Sequence, residues 1–191
     1  LVVADHAANP DYIAADLLSQ AEHDAMASAV CITTHQGVGE RVIESVKRQL
    51  LALPRHDIAE ESLKRYGAVF RVAAVEAALK LANRIAPEHL ELQVQDPWLC
   101  LGMIEHAGAV FLGDCTPEAV GDYFAGPNHV LPTAGTARFA SALGVESFIK
   151  RTSVLAYSRK AMERDAASII RLAELEGLTA HAASVRVRLK G

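Results

Sequence analysis

The sequence predicts an α/β fold: an incomplete Rossmann-like domain with parallel strands covered by helices, followed by a small mainly helical C-terminal domain. Two observations predict the first part. Short continuous apolar runs such as Leu1-Val2-Val3-Ala4 and Ala109-Val110-Phe111-Leu112 recur along the first two thirds, and segments with helical apolar spacing separate them. Apolar strands without polar alternation are those buried on both faces, which is the signature of parallel pairing under helices. The third observation concerns the remainder. From about Arg138 strand signals nearly vanish, which places a domain boundary near residue 140, giving an α/β domain at 1–140 and a helical domain at 141–191.

The elements follow in order. Leu1-Val2-Val3-Ala4-Asp5 reads as a buried strand already under way, and with no initiating Met the chain reads as a piece of a longer protein. Asn9-Pro10-Asp11 opens a helix running to about His23: Asn caps, Pro suits the first helical position and Asp the positive end of the dipole. Cys31-Ile32-Thr33-Thr34 is a short strand. Gly39-Glu40 leads a helix with Val42, Val46, Leu50 and Leu53 on one face, closed by Pro54. The charged run Glu60 to Arg65 predicts an exposed helical piece, and Ala68 to Val72 a strand. The helix Val75 to Ile85 turns Val75, Leu79, Ala82 and Ile85 inward. In the last third Ser158 caps a helix with Met162, Ala166, Ile169, Ile170 and Ala173 inward. Gly177 ends it as the residue past the C-cap, and Thr179 starts a short terminal helix. The order of the strands is not readable from the sequence.

Composition narrows the function classes. A chain of 191 residues with 51% hydrophobic content can bury a sizeable core. A net charge of −4 and few aromatics give no reason to expect nucleic acid as a partner. Mean hydropathy is +0.15, and no apolar run approaches the roughly 20 residues of a membrane span. The three cysteines, Cys31, Cys100 and Cys115, are far apart and form no C-x-x-C pair, which argues against a cysteine zinc site. Cys31 and Cys115 sit in or just after apolar runs, so they read as buried free thiols of a reducing compartment, with a cytoplasmic protein as the expectation.

Four clusters carry chemistry. In Arg84-Ile85-Ala86-Pro87-Glu88-His89-Leu90-Glu91-Leu92 a proline breaks a helix and then an acid and an imidazole stand side by side, two proton-transfer groups that surroundings can tune toward neutral pH. An isolated pair of this kind is equally a solvated turn. Gln20 continues the inward stripe of Ile13 and Leu17, with His23 one turn further on; they read either as a buried amide bonded to backbone beside a histidine, or as two ligands of one site. Asp122, Asn128 and His129 are framed by Gly126-Pro127 and by Val130-Leu131-Pro132, which is too apolar for a freely solvated loop. Glu176-Gly177-Leu178-Thr179-Ala180-His181 reads alone as a helix end. Gln20, His23, Asp122 and His181 together offer nitrogen and oxygen donors without sulfur, a set that suits a catalytic zinc. Gly37-Val38-Gly39 lacks the spacing and the later acid of a dinucleotide fingerprint.

These runs resemble histidinol dehydrogenase across essentially the whole chain. The likeness is carried by Ala14 to His23, by Asn83-Arg84-Ile85-Ala86-Pro87-Glu88-His89-Leu90-Glu91-Leu92, by Ala125 to Thr133 with Gly135 to Phe139, and by Glu176 to His181, in that order. The resemblance implies a zinc- and NAD-dependent enzyme that oxidises L-histidinol through L-histidinal to L-histidine. It implies Gln20, His23, Asp122 and His181 as zinc ligands and Glu88 and His89 as the catalytic pair, with His89 taking the alcohol proton and Glu88 activating water. It further implies that His129 and Glu176 contact substrate, as do His89 and the zinc ligands, and that a homodimer shares each site, Glu176 and His181 reaching into the partner's. Two departures stand out. The chain covers rather less than half of the family's usual length, so most of the NAD-binding part lies outside it and the piece alone is expected to be inactive. Cys115 stands where the family often has a bulkier aromatic. The rival readings are a related zinc- and NAD-dependent dehydrogenase of another polar alcohol, such as a sulfonated diol, and a non-catalytic zinc-binding or dimerisation module.

Overall fold

The computed structural model describes residues 1–190. They form two compact units, Leu1–Phe148 and a second beginning at Ile149.

The first unit is built on a five-stranded sheet in the order β3-β2-β1-β4-β5, parallel throughout. Its strands are β1 (Val2–Ala4), β2 (Val30–Thr33), β3 (Ala68–Arg71), β4 (His89–Gln93) and β5 (Ala109–Leu112). The helices are α1 (Pro10–Ala21), α2 (Gln36–Leu50), α3 (His56–Tyr66), α4 (Val75–Ile85), α5 (Pro97–Cys100) and α6 (Glu118–Tyr123). The first two crossovers step one way from β1, and the third returns past β1 to β4. Right-handed crossovers therefore set α1, α2 and α3 on one face and α4 on the other. The core follows that division. Val2, Ala4 and Cys31 pack with Ile13, Leu17, Val38 and Val42 on the first face. Val3, Val30, Ile32, Leu90 and Leu92 pack with Ala78, Leu79 and Ala82 on the second.

Caps follow the sequence. Asn9 accepts the amide of Asp11 through its side chain, with Pro10 at the first turn of α1. The charged run after Arg55 is indeed a helix, α3. One expectation is corrected. Cys115 is exposed, and only Cys31 and Cys100 are buried; Cys115 falls past Gly113, where the chain has left the sheet. Thr116 lies between β5 and α6. Its hydroxyl donates to Leu112 O at 2.9 Å, and α6 begins after Pro117 with no side-chain cap. Glu88 and His89, which lie past the helix-breaking Pro87, stand at a bend and at the first residue of β4, an interior strand between β1 and β5.

The second unit holds the antiparallel helices α7 (Arg159–Leu175) and α8 (Thr179–Leu189). Ser158 Oγ accepts from Ala161 N at 3.1 Å, and Gly177 takes φ 74° after the C-cap Glu176, a left-handed conformation that glycine adopts without steric cost. Ala166 of α7 and Ala182 and Val185 of α8 are buried. Among the described residues no helix is long and apolar enough to cross a membrane.

Candidate active site

The segment carrying Glu88 and His89 is rigid for reasons local to the backbone. α4 ends in Ala86, a non-glycine residue at φ 54° and fully buried, and Pro87 forbids continuation. Gly108 N donates to Pro87 O at 2.9 Å and Ala109 N to Glu88 O at 2.8 Å. A Cβ at Gly108 would lie 2.5 Å from Glu88 O, so this approach needs glycine. The pair therefore enters β4 from a fixed turn rather than a solvated one.

Strand periodicity then aims alternate side chains. Leu90 and Leu92 join the apolar core with α4. His89, Glu91 and Gln93 turn to the face of α1 and α6, and all three are buried. A polar layer meets them there. Gln93 Nε2 donates to Asp16 Oδ2 at 2.7 Å and to Glu91 Oε2 at 3.2 Å. Glu91 Oε1 accepts the Glu118 amide at 3.3 Å. His89 Nδ1 lies 3.3 Å from Gln20 Oε1 and 3.7 Å from Glu118 Oε1, while its Nε2 lies 3.9 Å from Asp122 Oδ1. His23 Nε2, on an exposed side chain just past α1, is 3.9 Å from Glu118 Oε1.

The protonation states follow from this burial. Desolvation pulls the His89 imidazole down to about 4, against the opposing charge of Asp122, so the ring is neutral at pH 7. An amide oxygen only accepts, so a bond to Gln20 Oε1 puts the ring proton on Nδ1 and leaves the Nε2 lone pair free. Nε2 is buried and has no hydrogen-bond partner among the described residues. Burial, then Asp122 and Glu91, push Glu118 up to about 7. Burial and the neighbouring Glu91 charge push Asp16 up to about 8. Burial and Asp122 also raise Glu88.

Of the residues picked out in the sequence, Gln20, His23, Glu88, His89 and Asp122 come together at the start of β4. Gln20, Glu88 and His89 line a cavity of about 440 Å³ with Ala86, Thr133 and Gly135. His129 is exposed and lines a second hollow, of about 180 Å³, with Asp122 and Phe111. Glu176 and His181 belong to the second unit, one capping α7 and the other in the first turn of α8, both exposed. Sequence reasoning missed Asp16, Glu91, Gln93 and Glu118 as members of the layer. The available signal was spacing: Asp16/Gln20 and Glu118/Asp122 are four apart on helices, and His89/Glu91/Gln93 are two apart on a strand.

The position is unusual for this topology. Ligands of doubly wound sheets usually bind beyond the carboxyl ends of the strands, where strand order reverses. Here that crevice, between β1 and β4, holds Asp5, whose carboxylate accepts from Ala7 N at 2.8 Å and Gln95 N at 2.9 Å. Gln20, Glu88, His89 and Asp122 lie at the opposite end, by the first residue of β4. Ligand atoms of His89, Glu118 and Asp122 lie within 4.8 Å of one another. Nitrogen and oxygen donors, one of them an unpaired buried imidazole nitrogen, fit a divalent cation of the zinc type.

A parallel sheet bearing a buried imidazole among carboxylates at the mouth of a cavity defines an enzyme-type site. The histidinol dehydrogenase family model matches residues 1–189. A histidinol dehydrogenase of Desulfotalea psychrophila is 58% identical over 190 residues, which is 100% of this chain and 44% of that protein. One of Geobacter metallireducens is 55% identical over 191 residues, again 100% of the chain and 44% of the relative. The crystal structure of histidinol dehydrogenase from Elizabethkingia anophelis superposes with a TM-score of 0.83 at 39% identity, covering 99% of this chain and 43% of that one. The chain thus belongs to the histidinol dehydrogenase family, and it spans somewhat under half the length of these relatives.

Proposed function

We propose that these residues supply the acid–base and metal-binding part of an NAD-linked, zinc-dependent enzyme that oxidises L-histidinol via L-histidinal to L-histidine, in histidine biosynthesis. The observation that carries this reading is the fixed Glu88–His89 pair at the cavity edge, with His89 neutral and its Nε2 unpaired beside Asp122. A neutral buried imidazole with one free lone pair is a proton acceptor in waiting. His89 takes the alcohol proton at Nε2, and the Nδ1–H bond to Gln20 holds the ring in register as that nitrogen becomes positive. Asp122, 3.9 Å away, stabilises the imidazolium. Glu88, raised by burial, then takes a proton from the water that adds to the aldehyde. NAD supplies the two-electron acceptor for each of the two oxidations, and most of its contacts belong to sequence outside this chain.

Gln20, His23 and Asp122 hold the zinc in this proposal, with His181 of the partner subunit as the fourth ligand. When bound, zinc would act as a template and Lewis acid for the polar groups of the substrate. His129 and Glu176 contact the substrate, Glu176 from the partner of a homodimer, so the helical unit serves the other subunit's site. A second reading has its own observation. The atoms that meet within 4.8 Å are those of His89, Glu118 and Asp122, which would make His89 a ligand rather than a base. Metal analysis separates the two: His23→Ala abolishes zinc binding in the first reading and spares it in the second, while Glu118→Gln does the reverse.

The deciding experiment is NAD reduction by the full-length protein. L-Histidinol should yield two NADH per molecule, sulfonated diols none. Absence of NADH with histidinol would remove this reading in favour of the rival substrate or of a non-catalytic module. Glu88→Gln should slow aldehyde oxidation far more than alcohol oxidation; equal losses in both half-reactions would deny Glu88 its water-activating role.

A further inference from the structure

We propose that Glu91 is a positioning residue: from the middle of β4 its carboxylate anchors the start of α6, and so sets Glu118 and Asp122 against His89. The proposal rests on the reading above, in which His89 and Asp122 work in one site.

α6 cannot hold its own place. It is six residues long, and Pro117 before it offers no side-chain cap. Isolated helices of this length are not stable in water, and the first amide groups of any helix lack intrahelical partners. The Glu118 amide finds its acceptor 27 residues back in the chain, in Glu91 Oε1 at 3.3 Å. That bond is buried. Glu91 is 4% exposed and Glu118 5%. A charged acceptor binds a backbone amide about twice as strongly as a neutral one, so a carboxylate here fixes the helix start better than an amide would.

Glu91 is itself held. Its second oxygen accepts from Gln93 Nε2, whose other hydrogen goes to Asp16 on α1. The chain of bonds therefore runs from α1 through β4 to α6. It joins the three elements that carry Gln20, His89 and Asp122. Only an acceptor-only side chain satisfies both donors at position 91; a glutamine there would turn its NH₂ toward one of them. The arrangement is also expensive in stability. Gln93 Oε1 is buried with no partner among the described residues, an omission that costs about 1–3 kcal/mol. A leucine at 93 would pack without that loss, so the amide is explained by what it holds rather than by what it stabilises.

The test uses full-length protein carrying Glu91→Gln, with Gln93→Met as a second variant that keeps side-chain length and removes the unpaired oxygen. The readouts are kcat and KM for histidinol at saturating zinc, and hydrogen exchange of the α6 amides. Glu91→Gln should lower kcat about 10- to 100-fold, the usual effect of losing an outer-shell partner, and speed exchange at Glu118 while β5 amides stay protected. Gln93→Met removes the unpaired Oε1 together with both Nε2 bonds, opposing effects on stability of similar size, so it should unfold near the wild-type temperature, with a smaller loss of kcat. If folded Glu91→Gln keeps wild-type kcat and wild-type exchange in α6, the proposal is wrong. Should Glu91→Gln not fold, Gln93→Met decides by the same two readouts. If the wild-type protein does not oxidise histidinol, the functional reading fails by itself. Exchange then still rules on the anchor: faster at Glu118 supports it, unchanged overturns it.

Discussion

Leu90 and Leu92 turn toward α4, while His89, Glu91 and Gln93 of the same strand turn toward α1 and α6. Both faces are buried, so solvent does not distinguish them. The apolar face is held by area: Leu90 and Leu92 are fully buried among Leu79, Ala82 and Val110, each contributing about 1.5–3 kcal/mol. The polar face gains little net energy, because each of its hydrogen bonds replaces one to water and Gln93 Oε1 replaces none. What that face supplies is placement, a neutral imidazole among carboxylates whose ionisation burial has disturbed. One strand thus divides the labour, with the apolar core behind it and the groups of the proposed site in front.

The division makes opposite predictions for substitutions one residue apart. On the polar face, His89→Asn in the full-length protein should lower kcat about 100- to 10,000-fold, the range of a lost general base, and leave the unfolding midpoint in urea near wild type. On the apolar face, Leu92→Ala should lower stability by about 2–5 kcal/mol through transfer and cavity terms, measured by urea unfolding, with kcat per folded molecule nearly unchanged. Exchanged phenotypes, an unstable His89→Asn and an inactive but stable Leu92→Ala, would break the comparison.

The apolar face was legible and the polar face was not, for a physical reason. Runs such as Ala109 to Leu112 and the stripe of α4 announce burial through residue type alone. His89-Leu90-Glu91-Leu92-Gln93 alternates, and alternation ordinarily means one face in water. Its burial depends on Asp16 and Gln20 of α1 and Glu118 and Asp122 of α6 arriving from distant chain positions, which no local pattern encodes. The Glu88–His89 pair was visible because two proton-transfer groups are adjacent after a proline; Glu91, which fixes α6, had no such neighbour. The strand order was silent for the same reason as the polar layer, since pairing is non-local.

A smaller effect sharpens the comparison through pH. The Asp16 carboxyl, pushed from 3.8 to about 8 by burial and by Glu91, is protonated in the folded protein across a range where the unfolded chain has ionised. Its folded-state pKa is the higher one, so its contribution is intact below the unfolded value and is lost as pH rises toward 8. Asp16→Asn keeps an oxygen to accept from Gln93 and a donor for Glu91 without the titration. The variant should therefore gain on wild type steadily from about pH 4 to pH 8 and hold a constant advantage above. Parallel stability curves across that range would mean Asp16 is solvated and the polar layer is looser than its geometry indicates.

The smallest effect is expected at the hinge where the two faces begin. Ala86 sits at φ 54°, a conformation that costs a residue with a Cβ about 1–2 kcal/mol. Glycine would relieve that strain, yet it adds freedom to the unfolded chain and removes a buried methyl, which together offset most of the gain. Ala86→Gly should shift stability by less than about 1 kcal/mol either way. Its use lies in kcat: Ala86 precedes Pro87 and Glu88 directly, so the alanine limits how the acid–imidazole pair can swing. A fall in kcat with unchanged stability would show that the strained residue serves the polar face. A change in stability alone would assign it to the apolar one, where α4 packs.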